Sequence, residues 1–194
     1  LAEKAREEAG DDAAFLFETH QMMAEDMDYE ESIEGIIKEE GLNAEIAVSR
    51  TSEQFAEMFA TMDDSYMQAR AADVKDVSGR IIAILCGVVQ GGIASDVPVL
   101  LAADDLAPSE TIQLDKSKIL GFITAQGSGS SHTAILARTM GIPAIVGMSD
   151  SLKLEYEGRN VIVDGATGAV VIDADDETRE RMMKKHEEQL AFQK

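Results

Sequence analysis

The hydrophobic pattern of this chain changes period once, close to residue 90, and that change constrains the fold more than any other feature. Before it, apolar residues recur at helical spacing. Phe55, Met58, Phe59 and Met62 stand at i, i+3, i+4 and i+7, one face of a 3.6-residue period. Phe15, Leu16, Met22, Met23 and Met27 follow the same rule, as do Ile33, Ile36 and Ile37, and then Val74, Val77, Ile81, Ile84 and Leu85. These stripes read as ordinary core. Gly41-Leu42-Asn43 and Asp63-Asp64-Ser65 carry the turn and cap chemistry that separates helices. After Gly87 and the Gly91-Gly92 pair, apolar runs of strand length take over at 97–103, 118–124 and 143–147, with short helical candidates near 108–114 and 131–140 between them. Strands buried on both faces and separated by helices form an α/β layer. Residues 160–165 and 167–173 read as a hairpin with a glycine-containing turn, and 175–194 as a charged connecting helix. The pattern thus predicts a helical half over 1–92, an α/β half over 93–174 and a closing helix.

Composition narrows the function. With 194 residues, 45% of them hydrophobic, the chain can bury a core. No apolar run reaches the roughly 18 residues a membrane helix needs. The single cysteine, Cys86, rules out a disulfide framework and reads as buried packing within Ile84-Leu85-Cys86-Gly87. A net charge of −20 argues against an electrostatic surface for nucleic acid, and a cytoplasmic location is expected. The charge is uneven: residues 1–96 hold 22 acidic and 7 basic side chains, net −15, and the remainder is at −5. That fits a solvated or salt-adapted surface, and equally a docking face for a basic protein. The opening Leu1-Ala2-Glu3-Lys4-Ala5-Arg6 reads as helix interior without a cap or signal peptide, so the chain is expected to be a piece of a longer protein.

One segment carries chemistry. Of three histidines, His186 sits on a solvated face among Lys184, Lys185, Glu187 and Glu188, and His20 reads as a surface or half-packed residue of the first helix. His132 is different. It lies in Gly127-Ser128-Gly129-Ser130-Ser131-His132-Thr133-Ala134, after a predicted strand and at the start of a predicted helix. Ser130 or Ser131 can cap that helix, and Gly127 and Gly129 let backbone approach a ligand closely. A helix start offers free N–H groups and a partial positive charge, which suits phosphate and disfavours an imidazolium. A neutral imidazole beside such a cradle can carry a phosphoryl group covalently. A Gly/Ser turn before a helix with an incidental histidine satisfies the same spacing. No P-loop, His-Glu-x-x-His or Gly-x-Ser-x-Gly motif is present.

The stretch from Leu120 to Gly147, LGFITAQGSGSSHTAILARTMGIPAIVG, resembles the phosphohistidine segment of the phosphoenolpyruvate-utilising enzymes, and within them the enzyme I group of the bacterial sugar phosphotransferase system. Ala102–Thr111, Ala69–Asp76 and Phe17-Glu18-Thr19-His20 resemble other segments of that group, so the likeness spans nearly the whole chain. It implies an α/β phosphohistidine domain with an inserted all-α, helical-bundle subdomain that binds the small carrier HPr. His132 would take phosphate from phosphoenolpyruvate on Nε2 and pass it to the HPr histidine, the activity of a phosphoenolpyruvate-protein phosphotransferase. Thr111 matches a threonine whose hydroxyl orients the imidazole. Ser130, Ser131, Thr133 and the backbone of Gly127 and Gly129 would surround the phosphoryl group, with Arg138 in electrostatic support. Arg70, Asp73 and His20 would fall on the HPr-docking face.

Departures are visible. Ser128 stands where the family has Gly or Ala, and Ala13 where some members have a lysine near the active histidine. Relative to the family, the sequence lacks the opening strand and the C-terminal barrel expected to bind phosphoenolpyruvate and Mg²⁺ and to make a homodimer. No cofactor or metal is expected within these residues. Alone, the chain is expected to exchange phosphate with HPr but not to draw it from phosphoenolpyruvate. Two further readings stay open: an enzyme I-like domain of a nitrogen-related or dihydroxyacetone-kinase phosphorelay, and a docking module whose histidine is never phosphorylated.

Overall fold

The N-terminal helical stretch is broken at Gly10 and again at Asp26. In the computed structural model, which describes residues 1–88 and 95–192, helix α1 (Ala2–Ala9) stops at Gly10, whose φ of +87° only glycine adopts freely. Helix α2 (Asp11–Ala24) gives way at Asp26, whose carboxylate accepts the Tyr29 N–H at 3.1 Å and caps α3 (Met27–Glu40). The other boundaries use the turn chemistry visible in the sequence. Asn43 caps α4 (Ala44–Ala60) by accepting from Ile46 N at 3.1 Å, and Asp64 caps α5 (Ser65–Leu85) by accepting from Tyr66 N at 2.8 Å. The Gly91-Gly92 break and the expected 92/93 boundary lie outside the described residues.

Helices α3, α4 and α5 form a bundle around Tyr29, Ala47, Val48, Ala56, Val74 and Val77. Inside it the Tyr29 and Ser78 hydroxyls meet at 2.6 Å, and the Tyr29 ring stands edge-on to Phe55 at 5.6 Å between centroids. The apolar stripes are only partly this core. Phe15, Met22, Met27, Met58, Ile84 and Leu85 are exposed. On α2 the buried line is instead Ala14, Phe17 and His20. Steps of three residues keep that line on one face, and Phe15 and Met22 are turned away from it. Cys86, expected in the core, is exposed because it lies at the C-cap of α5, past the packed turns.

The second half is built on a parallel sheet in the order β1-β2-β3, with β1 at Val99–Ala103, β2 at Ile119–Thr124 and β3 at Ala144–Ile145. Helices α6 (Pro108–Thr111) and α7 (His132–Met140) are the crossovers. The central strand β2 is buried along its length except at Leu120, which matches its continuous apolar run. The run at 143–147 yields only two ladder positions, Phe122 opposite Ala144 and Ile123 opposite Ile145. Strands β4 (Val161–Asp164) and β5 (Ala169–Ile172) form a separate antiparallel hairpin, followed by α8 (Asp176–Phe192). The Asp164 carboxylate ties the hairpin turn together, accepting from Ala166 N at 3.1 Å and the Thr167 hydroxyl at 2.7 Å, and pairs with Lys185 of α8.

The two halves are not cut where the pattern changes. The main core gathers Leu106, Ile112, Leu114, Ile119, Phe122, Leu136, Met140 and Ile142 from the sheet layer together with Ala5 of α1 and Phe17 of α2, with Leu1, Ala2, Ala9 and Ala13 packed against them. The first helix and the start of the second thus belong to the α/β layer, not to a helical half running from residue 1. Alanine-rich α1 can lie close to the sheet layer because its buried face carries no long side chain.

Gly121, in the middle of β2, shows how tightly the strands fit. A Cβ there would sit 2.7 Å from the Pro143 carbonyl oxygen, which already accepts the Phe122 N–H at 3.0 Å and cannot retreat without loosening the sheet. Gly121→Ala is expected to cost about 1–3 kcal/mol in urea unfolding, whereas Gly35→Ala on α3, with open space around its Cβ, should gain up to about 1 kcal/mol.

Candidate functional site

The loop leaving β2 is held from three sides. Thr124 Oγ1 donates to Gln126 O at 2.7 Å, Gln126 N donates to Asp104 O at 2.7 Å beyond β1, and Gly147 N donates to Gln126 O at 3.0 Å beyond β3. Gly127 takes φ +96°, a conformation that requires glycine. Ser131 then caps α7, its Oγ accepting from Ala134 N at 3.2 Å, so His132 becomes the first helical residue. Thr133 fastens the same turn by donating to Leu106 O at 2.6 Å. The backbone that carries His132 is therefore fixed by the ends of all three parallel strands.

The side chain of His132 is fixed by the other half of the molecule. Asp73 of α5, 1% exposed, places Oδ1 at 3.1 Å from His132 Nδ1 and Oδ2 at 3.2 Å from Arg70 Nη1. Arg70 also lies over the Tyr66 ring, 4.7 Å from its centroid. One turn further along α5, the Asp76 carboxylate accepts the Ser109 N–H at 3.0 Å and the Ser109 hydroxyl, at the start of α6. His20 of α2, 2% exposed, stands between the two acids, with Nε2 3.4 Å from Asp73 Oδ1 and Nδ1 3.9 Å from Asp76 Oδ2.

Two fields compete over the His132 charge. The helix start disfavours an imidazolium by about 0.3–1 kcal/mol. A hydrogen bond to a charged group is worth about 1.5–3 kcal/mol, and the ring, 39% exposed, feels both in part. The carboxylate wins: the hydrogen bond to Asp73 pushes the His132 imidazole above its ordinary value, against the opposing effect of burial. The expectation that the helix start governs this ring is thereby corrected. Burial pushes the Asp73 carboxyl up, but the hydrogen bond to His132 and the polar contact with His20 outweigh it, and it stays well below the usual carboxylate range. Both shifts describe the same interaction. Because Asp73 only accepts, His132 must carry its proton on Nδ1, which leaves the Nε2 lone pair for chemistry.

Other sequence-derived candidates fall at varied distances from this pair. Ser131 and Thr133 are built into the loop and helix start as described. Ser130 meets Ser128 at 3.1 Å between hydroxyls. Gly129 has open space where a Cβ would be, so only Gly127 needs to be glycine for its backbone shape. Arg138 extends back over the loop, Nη2 3.5 Å from Gly129 O. Thr111 is buried, and its hydroxyl donates to Ala107 O at 3.0 Å, so Asp73 rather than Thr111 holds His132 Nδ1 here. Asp73 and His20, expected on a docking face, are too deeply buried to offer a partner any surface, whereas Arg70 is partly exposed. Sequence reasoning gave Asp73 the wrong task and missed Asp76. Its available signal was two acids one turn apart beside Val74 and Val77, the buried pair of α5, since buried carboxylates need partners. Among the described residues no three His, Cys, Asp or Glu side chains come together as metal ligands, and no helix is long and apolar enough to cross a membrane.

Two family models match: the N-terminal part of PEP-utilising enzymes over residues 1–70, and their mobile domain over 96–168. The chain is 41% identical over 186 residues to the phosphoenolpyruvate-protein phosphotransferase of Priestia megaterium, covering 95% of this chain and 32% of that protein. It is 38% identical over 192 residues to the one from Bacillus subtilis, covering 98% and 34%. A solution structure of an enzyme I protein, nEIt, superposes over 100% of this chain and 77% of its own with a TM-score of 0.70 and 39% identity. The chain belongs to the enzyme I group of the PEP-utilising enzymes. It spans about a third of the length of the curated enzyme I relatives it matches. The N-terminal domain of a nitrogen enzyme I, 24% identical with a TM-score of 0.61 over 98% of this chain and 76% of its own, shares the fold.

The Asp73–His132 pair sets a pH window for this enzyme I domain. Asp73, held low, contributes fully above its ordinary 3.8 and less as pH falls below it. His132, held high, contributes fully below its ordinary 6.5 and less as pH rises through its native value. The unfolding free-energy difference between wild type and Asp73→Asn should therefore be largest between those limits and shrink on both sides, as measured by urea titration across pH. In the same variant the His132 ¹⁵N titration midpoint should fall toward the ordinary histidine value.

Proposed function

We propose that this chain is the phosphohistidine-bearing part of a phosphoenolpyruvate-protein phosphotransferase, and that His132 Nε2 carries the phosphoryl group. One observation supports this above the others: His132 Nδ1 is committed to the buried Asp73 carboxylate at 3.1 Å, so Nε2 is the nitrogen with a lone pair to give. The Nε2 lone pair forms the N–P bond as the P–O bond of phosphoenolpyruvate breaks and pyruvate leaves as its enol or enolate. As the bond forms, positive charge develops on the ring, and Asp73 is already in place to stabilise it through the Nδ1 proton. In the second step the histidine of an HPr-type carrier attacks phosphorus and His132 recovers its lone pair. Phosphoryl transfer needs little covalent chemistry from the protein beyond positioning and charge.

The cradle consists of the α7 start and the Gly127–Ser131 loop. The His132 and Thr133 amides belong to the first helical turn, where N–H groups have no intrahelical acceptor and suit a phosphoryl oxygen. Arg138, whose guanidinium already reaches the loop, adds positive charge. Thr111 is the buried last residue of α6, and the orienting role the resemblance implies for it requires its hydroxyl to leave Ala107 O. The carrier docks on the acidic helical bundle, with the partly exposed Arg70 near its approach. In the whole protein this relay opens sugar uptake in the cytoplasm, with Mg²⁺ and phosphoenolpyruvate held by residues beyond the ones described.

The test is label transfer from HPr phosphorylated on its histidine. Wild type should acquire acid-labile, alkali-stable phosphate and His132→Ala none, while Asp73→Asn should be labelled at least tenfold more slowly. A folded wild type that takes no label from several HPr-like carriers would overturn the relay.

A further inference from the structure

His20 is the one buried histidine, and neither of its ring nitrogens has a hydrogen-bond partner among the described residues. A buried polar group in that state is costly, of order 1–3 kcal/mol, so its place in the core calls for a reason. Its surroundings supply one. From α5 it faces Asp73 and Asp76; through Asp73 it meets Arg70 and His132, and through Asp76 it meets Ser109 of α6. Arg80 of α5 and Glu3 of α1 line the same groove as its ring, and Phe17 of α2 stands edge-on to it at 5.5 Å. Both facing groups are carboxylates, which only accept, so a neutral imidazole can give its single N–H to one of them at a time, and Asp73 Oδ1 is the nearer.

The decisive point is which oxygen it faces. His20 Nε2 and His132 Nδ1 approach the same atom, Asp73 Oδ1, at 3.4 and 3.1 Å. Two imidazoles thus compete for one carboxylate oxygen, one entirely buried and one at the site. We propose that His20 is a positioning residue for His132: by sharing Asp73 Oδ1 it limits how tightly the carboxylate holds the active imidazole. A lone Asp73 would grip His132 more firmly, keep it protonated to higher pH and withhold the Nε2 lone pair over more of the working range. With His20 drawing on the same oxygen, that grip is loosened while the Nδ1 orientation is kept. The inference couples His132 to a second imidazole through Asp73 and rests on the carrier reading only for its consequence in transfer.

The test uses ¹⁵N ring spectra of the whole chain and needs no phosphate donor. In wild type the His20 ring resonances should register the His132 transition, because His132 loses its charge against the carboxylate oxygen that His20 also faces. His20 resonances flat through the His132 transition overturn the proposal, and this arm requires no substitution. In His20→Phe the His132 midpoint should rise by about half a pH unit or more, and His20→Gln, which keeps a donor, should return it toward wild type. A folded His20→Phe chain with an unmoved midpoint overturns the proposal as well. If the coupling is present but His132 takes no label from any carrier, the positioning role stands and the carrier reading fails. If label is taken, its pH profile should move in His20→Phe with the midpoint.

Discussion

Two carboxylates on one helix connect the halves of this molecule. Asp73 and Asp76 are a turn apart on α5, both buried, and each is answered by a group from the sheet layer: His132 at the start of α7 and Ser109 at the start of α6. A buried charge without partners costs several kcal/mol, and parting the bundle from the sheet layer would strip Asp76 of Ser109 and leave Asp73 only Arg70 of its own helix in place of His132. The same contact is the chemistry. The force that seats α5 against the sheet layer is the one that chooses the tautomer of the histidine, which makes assembly and orientation a single event.

That economy explains a seeming conflict in the site. Placing a histidine at a helix start puts it in a field that repels positive charge, while placing it against a buried acid does the opposite. Phosphoryl transfer asks for both. The incoming phosphoryl group is anionic and is welcomed by the helix start, and the ring that receives it turns cationic and is welcomed by Asp73. The two fields are separated in space, one along the α7 axis and one across the ring at Nδ1, so each acts on its own partner.

Most of the secondary structure could be read from residue spacing, since the change from helical to strand-length apolar runs is a direct print of burial geometry. Turn and cap chemistry at 41–43 and 63–65 is equally plain because a short polar side chain before an apolar period has few other uses, while spacing leaves Ser130 and Ser131 both open as the α7 cap and the fold selects Ser131. The partners were harder. Phe15 and Met22 share the helical period of Phe17, and nothing in a single helix says which face meets a neighbour. His20 looked like surface because histidine with polar neighbours usually is, and only the fold brings two acids from a residue separation of more than fifty to meet it. Asp73 lies in a segment whose resemblance places it on a docking face, and its spacing alone does not show that it turns inward. Spacing located His132 and its loop, but the residue that directs the ring came from the other half of the chain.

The entry of α1 and Phe17 into the sheet-layer core has a consequence for the architecture as a whole. The chain begins in the sheet layer, leaves it along α2, makes the α3–α5 bundle, and returns at β1. The bundle is thus an excursion from a layer that is already closed by residues on both sides of it, and its outer surface is free to vary in charge and shape without disturbing that layer. What it cannot discard is its inner face. Any bundle grafted into this excursion must bring a buried acid to the place of Asp73, or the histidine it serves is left free to turn.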